Sequence, residues 1–133
     1  MTRYFTRLVL VALCLGCSGS NDARLFDDFH EIGRFRAPNV HSLYPAVTHF
    51  VVAPRALMGD RNAVLAYSRR SCLEEQVCFV HFWVDASKAA KRFPISDSEA
   101  EAIVASYDRN RSTGHDGFQC YDFGVPGEQC AAR

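Results

Sequence analysis

The sequence predicts a small α/β domain, with α+β as the alternative, and three observations carry that prediction. Residues 77–85, VCFVHFWVD, are β-branched or aromatic at nearly every position, the composition of a strand packed on both faces. Residues 47–53, VTHFVVA, form a second run of the same kind, ended by Pro54. Between the two, Asp60 is placed to cap a helix over about 61–71, with Ala63, Val64 and Tyr67 along one side and Arg69 and Arg70 near its C-terminus. Strand, helix, strand with a right-handed crossover makes the two strands parallel neighbours. The expected domain therefore contains a βαβ unit, a mostly three-stranded sheet, two main helices and two disulfides.

The first sixteen of the 133 residues do not belong to that domain. Arg3 and Arg7 precede the apolar run 8–15, which has signal-peptide length and is too short to span a bilayer core of roughly 30 Å. The segment Leu13-Cys14-Leu15-Gly16-Cys17, followed by Ser18, resembles the processing site of bacterial lipoproteins, in which a small residue precedes the cysteine that becomes the lipidated N-terminus. That resemblance covers only the targeting segment. It implies a mature chain that starts at Cys17 and is held by acyl chains, palmitate among them, in the bacterial cell envelope. A serine after the cysteine implies the outer membrane, with the domain facing the periplasm. Ordinary secretion or an uncleaved anchor is the alternative.

Loss of residues 1–16 removes Arg3 and Arg7 and no acidic residue, so thirteen basic side chains remain against fifteen acidic ones, a net charge of about −2. Without a basic excess or stripe, nucleic acid is not an expected partner. The remaining 117 residues suit one domain with a modest core, for which covalent staples help.

Residues 17–22 read as the lipidated tether and 23–46 as an amphipathic and extended N-terminal segment. Leu25, Phe26, Phe29 and Ile32 recur at helical spacing, which predicts a short helix over 23–32, and Pro38 and Pro45 mark an extended connection after it. The domain proper is expected over 47–133. After residue 85, Ser96-Asp97-Ser98-Glu99 is a capping box, and the spacing of Ala100, Ile103, Val104 and Tyr107 predicts a helix over 96–110. Residues 118–123 alternate as a third strand, placed at an edge, with a tail beyond.

Four cysteines remain outside the signal and the acylation site: Cys72, Cys78, Cys120 and Cys130. An even number in an exported chain points to disulfides, and the short intervening segments favour Cys72–Cys78 and Cys120–Cys130 among the three possible pairings. The spacings are not those of a zinc ribbon or finger, so no metal site is expected from them, and no C-x-x-C redox motif is present.

The candidate binding face is that of Phe79, His81 and Trp83, with His49 and Tyr121. If strands 47–53 and 77–84 have suitable register, His49 and His81 lie close enough to share a ligand, with Asp85 and Asp122 available to complete a site. Large aromatic side chains on a face opposite the main core would serve a protein, peptide or glycan partner. Ser112-Thr113-Gly114-His115-Asp116 gathers hydroxyl, imidazole and carboxylate, but triad members normally converge from separate elements. No nucleophile elbow, zinc-protease helix or phosphate-binding glycine loop occurs. The expected function is a non-catalytic envelope lipoprotein that binds an envelope protein or glycan and needs no cofactor. A small periplasmic hydrolase using His81 or His115 with an aspartate is one alternative, and an inhibitor using the stapled tail is another.

Overall fold

A computed structural model of the chain describes residues 26–39 and 43–121. The elements run β1 (His30–Ala37), β2 (Ala46–Val52), α1 (Arg55–Met58), α2 (Arg61–Ser71), β3 (Val77–Trp83), α3 (Asp97–Glu101), β4 (Ala105–Asn110) and β5 (His115–Cys120). The strands form one sheet in the order β1-β2-β3-β4-β5. β2 and β3 are parallel and in register from Ala46 opposite Val77 to Val52 opposite Trp83. The other three pairings are antiparallel.

The α/β assignment with a mostly three-stranded sheet is corrected by this topology: the domain is a mixed α+β unit with a five-stranded, mostly antiparallel sheet. Two segments account for the difference. Residues 30–37 form an edge strand where the end of a helix over 23–32 and an extended connection after it are expected, with Ile32 and Phe35 packing on one face of the sheet. The capping box at Ser96 forms as predicted, with the Glu99 carboxylate accepting from the Ser96 amide at 2.8 Å. Its helix stops at Glu101, and residues 105–110 pair with β3 instead. Ala105 and Tyr107 satisfy a period of two as well as a helical period, and pairing them covers the exposed edge of β3.

β3 is buried on both faces. Towards α2 it turns Cys78, Val80 and Phe82, which pack with Val51, Met58, Val64, Cys72 and Tyr107. Phe29 joins this side, stacking on Tyr67 with ring centroids 4.4 Å apart. On the opposite face Trp83 meets Phe50 edge-on at 5.3 Å, beneath Ala89, Ala90, Ile95 and Ile103 of the β3–β4 connection. The Trp83 Nε1 hydrogen donates to the Glu99 carbonyl at 2.9 Å, so the capping-box helix is tied to the sheet it covers.

Cys72 and Cys78 are joined, linking the end of α2 to the start of β3. It is the disulfide that the described residues contain in full; the second expected bridge involves Cys130, which lies outside them, as do Cys17 and the targeting segment. The expected Cys120–Cys130 pairing thus lies outside the described residues, although Cys120 is itself disulfide-bonded. None of their helices is long and apolar enough to cross a membrane.

Replacing Trp83 by Ala is expected to cost about 3–5 kcal/mol in urea unfolding through loss of a fully buried indole. Trp83→Phe keeps most of the packing but leaves the Glu99 carbonyl without its donor and is expected to cost about 1–3 kcal/mol. Equal midpoints for wild type and Trp83→Ala would contradict the two-faced core.

Candidate functional site

The parallel register decides where the two strand histidines point. His49 stands opposite Val80, and His81 opposite Phe50. Directly opposed residues share a face, so His49 lies on the α2 side and His81 on the other. The register is thus not the one in which they could share a ligand: the sheet itself separates them.

The α2 side carries the more developed site. An irregularity between Glu31 and Gly33 shifts the β1–β2 register, so that Glu31 pairs with Val51 while Arg34 pairs with His49. On a regular strand residues three apart face opposite ways; this bulge puts Glu31 and Arg34 on the same face. Ile32 packs with Phe50 and Trp83 on the far side, and the Phe35 ring lies across Gly33 where a Cβ would come within 2.7 Å of it.

Glu31 Oε2 consequently stands 2.7 Å from His49 Nδ1. A carboxylate that accepts this hydrogen bond puts the proton on Nδ1 and fixes the tautomer. Nε2 of the buried His49 ring has no hydrogen-bond partner among the described residues. Around this pair, Phe26, Asp27, Glu31, Arg34, His49, Tyr67, Arg70 and Ser71 line an open cleft of about 520 Å³ between β1 and the C-terminal half of α2. Its two carboxylates and two guanidiniums balance. Arg70 sits 5.2 Å above the Phe26 ring, and Arg34 is 3.6 Å from Glu75, which also holds Arg36 at 3.1 Å. Burial raises the Tyr67 phenol above its ordinary range; a hydrogen bond with Ser71 opposes the rise and the Glu31 charge adds to it, so Tyr67 is a neutral group in the cleft wall.

The sequence matches no family model, and it is similar to none of the curated proteins or solved structures with which it was compared.

On the other face, His81 Nδ1 is 2.8 Å from Ser106 Oγ. Burial lowers the His81 pKa, against the opposing pull of the Asp108 charge, so the ring is held towards its neutral form. Asp108 itself contacts His115 Nε2 across the β4–β5 pair. The two lie over Gly117, where an added Cβ would be 2.7 Å from His115 Nε2 and 2.8 Å from Asp108 Oδ1. Asp116 is engaged elsewhere, 3.3 Å from Arg69.

Of the remaining candidates, Phe79 is partly buried and Trp83 has no exposed surface to offer a partner. Tyr121 is exposed, and its hydroxyl donates to Gln119 at 3.0 Å. The Asp85 carboxylate accepts from the Ser87 amide and hydroxyl, organising the turn after β3. Asp122 lies outside the described residues. Glu31, Arg34, Tyr67 and Arg70 form a site that no sequence spacing marks, because the β1 bulge puts the first two on the face that α2 covers with the other two.

The lowered His81 pKa fixes the sign of one pH effect. The unfolded chain binds a proton near the ordinary value of 6.5 while the folded chain resists it, so stability falls as pH drops through 6.5 and until the lower folded value is passed. His81→Gln is expected to shrink the difference in urea midpoint between pH 7.5 and pH 5, which lie about one unit above and about one and a half units below that ordinary value. An unchanged difference would assign the acid sensitivity to other groups.

Proposed function

We propose that the protein is an outer-membrane lipoprotein, anchored through acylated Cys17, which binds a peptide or glycan component of the envelope in the cleft between β1 and α2. The observation that carries the reading is that cleft: charges of both signs beside two aromatic side chains, set on a strand and a helix tied together by the core. Paired carboxylates and guanidiniums suit the alternating donors and acceptors of a peptide or an amino sugar, and Tyr67 and Phe26 offer apolar faces at low entropic cost. Its location supports the same reading. Phe26, in the cleft wall, is nine residues beyond Cys17, and nine fully extended residues reach at most about 30 Å. The cleft would thus work close to the lipid surface.

Photocrosslinking in the native envelope tests this. A photoreactive side chain at Asp27, on the cleft rim, is expected to capture one identifiable envelope component, and Arg70→Glu to reduce that capture about tenfold, the loss of about 1.4 kcal/mol at one charged contact. Cys17→Ser should abolish capture in cells. Capture that is equally strong from a probe at Lys91, remote in sequence and on the far connection, would count against the cleft.

A second reading, the small hydrolase using His81 or His115 with an aspartate, is favoured by one arrangement: Asp108 contacts His115 and acts electrostatically on His81, which touches the Ser106 hydroxyl. A base held neutral beside a hydroxyl is the beginning of a nucleophile pair. Under this reading Asp108→Asn and Ser106→Ala each remove ester or amide turnover while leaving the urea midpoint within about 1 kcal/mol of wild type. Wild-type protein that turns over neither class of substrate disposes of it.

A further inference from the structure

The end of α2 and the start of β3 bring three metal-ligating side chains together beneath the cleft. Cys72 Sγ, Cys78 Sγ and a ring nitrogen of His49 lie within 4.8 Å of one another, and all three residues are buried. Nδ1 of His49 is taken by Glu31, which leaves Nε2 as the coordinating nitrogen, and Nε2 is one of two buried side-chain polar atoms without a hydrogen-bond partner among the described residues. A histidine whose second nitrogen donates to a carboxylate is oriented and made more basic, as metal-bound histidines regularly are. Two sulfurs and one such imidazole form a donor set suited to zinc-class ions.

We propose that the protein exchanges its Cys72–Cys78 disulfide for a metal site when reduced, binding one zinc-class ion through both thiolates and His49 Nε2, with Glu31 as the positioning residue. A dithiol reductant of the thioredoxin type gives two electrons and two protons; the Cys72–Cys78 sulfur–sulfur bond breaks, two thiols form, and the reductant becomes a disulfide. The ion then displaces the two thiol protons to solvent, forming two metal–sulfur bonds and one metal–nitrogen bond without changing oxidation state. The Cα atoms are 5.7 Å apart, so the sulfurs need only separate to about 3.8 Å, the edge of a tetrahedron with metal–sulfur bonds near 2.3 Å. Three protein ligands leave the fourth position to water or a small ligand. This inference goes beyond the binding reading and stands without it, since metal uptake is read on the protein alone.

The test uses the full-length protein in detergent, in a Cys120→Ser/Cys130→Ser background so that reduction acts on one pair. After reduction with a phosphine under inert gas, Co2+ is titrated in. The expected result is saturation at one ion per chain, with the visible bands of tetrahedral cobalt and a thiolate-to-cobalt charge-transfer band, both erased by Zn2+. Oxidised protein should show none of these. Glu31→Gln, a change at an exposed carboxylate that leaves the ligands in place, is expected to weaken binding about 10–100-fold, and His49→Ala to remove the nitrogen from the coordination shell seen by X-ray absorption. A reduced protein that takes up no cobalt, folded or not, overturns the proposal. So does cobalt binding that neither variant alters.

Discussion

The parallel register of β2 on β3 is the constraint on which the remaining structure depends. It sends Val51, Val80 and Phe82 to the α2 side and Phe50 and Trp83 to the other, and both sets are buried. A slip of one residue would exchange the two faces of a strand entirely. With each large apolar side chain contributing roughly 1.5–3 kcal/mol on burial, no alternative register competes. The Cys72–Cys78 bridge reinforces the choice by closing a short loop at the point where α2 returns to the sheet, a contribution of about 2 kcal/mol in the chain-entropy view. Register therefore sets not only the core but also the chemistry: it assigns His49 to the cleft and the disulfide, and His81 to Ser106 and the neighbourhood of Asp108.

A second, more local device acts within that frame. The bulge at Glu31–Gly33 adds one residue to β1 and turns the strand so that an acid and a base three positions apart meet the same histidine-bearing face. Bulges often re-aim side chains at sheet edges, and here the edge strand is thereby converted from a covering element into one wall of a cleft. The opposite wall is α2, whose C-terminal turn supplies Tyr67, Arg70 and Ser71. The charges are held by neighbours rather than free: Arg34 by Glu75, and Arg70 against the Phe26 ring. Such partial engagement limits the entropy lost when a ligand binds, since the side chains are already near their working positions.

The sequence made the middle of the fold legible because the signals there were local and unambiguous. The Val77–Trp83 strand, the Asp60 cap and the Ser96 capping box each depend on side chains within a few residues of one another. The parallel β2–β3 pair followed from the intervening helix. What was not legible depended on contacts distant in sequence. Ala105–Asn110 fits a helical period as well as a strand, and only the open edge of β3 selects the strand. The helical spacing of apolar residues that ends at Ile32 runs into the start of β1, where the bulge disrupts the strict alternation that would mark a strand. The candidate site was lost for the same reason: Glu31, His49, Tyr67 and Cys72 converge from three segments, and no spacing rule joins them.

The buried face around His49 also resists an explanation based on stability alone. A leucine at this position would fill comparable volume with no polar atom to satisfy. The imidazole instead takes up one carboxylate on Nδ1 and leaves Nε2 in the core without a partner among the described residues, an arrangement that costs on the order of 1–3 kcal/mol. Glu31 is held by a bulge that also interrupts the ladder. Local rules are broken at functional sites more than elsewhere, and here several are broken within one side-chain layer. Trp83 makes the contrast: equally buried, its one polar hydrogen finds the Glu99 carbonyl, and its surroundings ask nothing further of it. Of the two faces of this sheet, the one behind Trp83 satisfies its buried indole hydrogen internally, whereas the one holding His49 leaves Nε2 without a hydrogen-bond partner among the described residues.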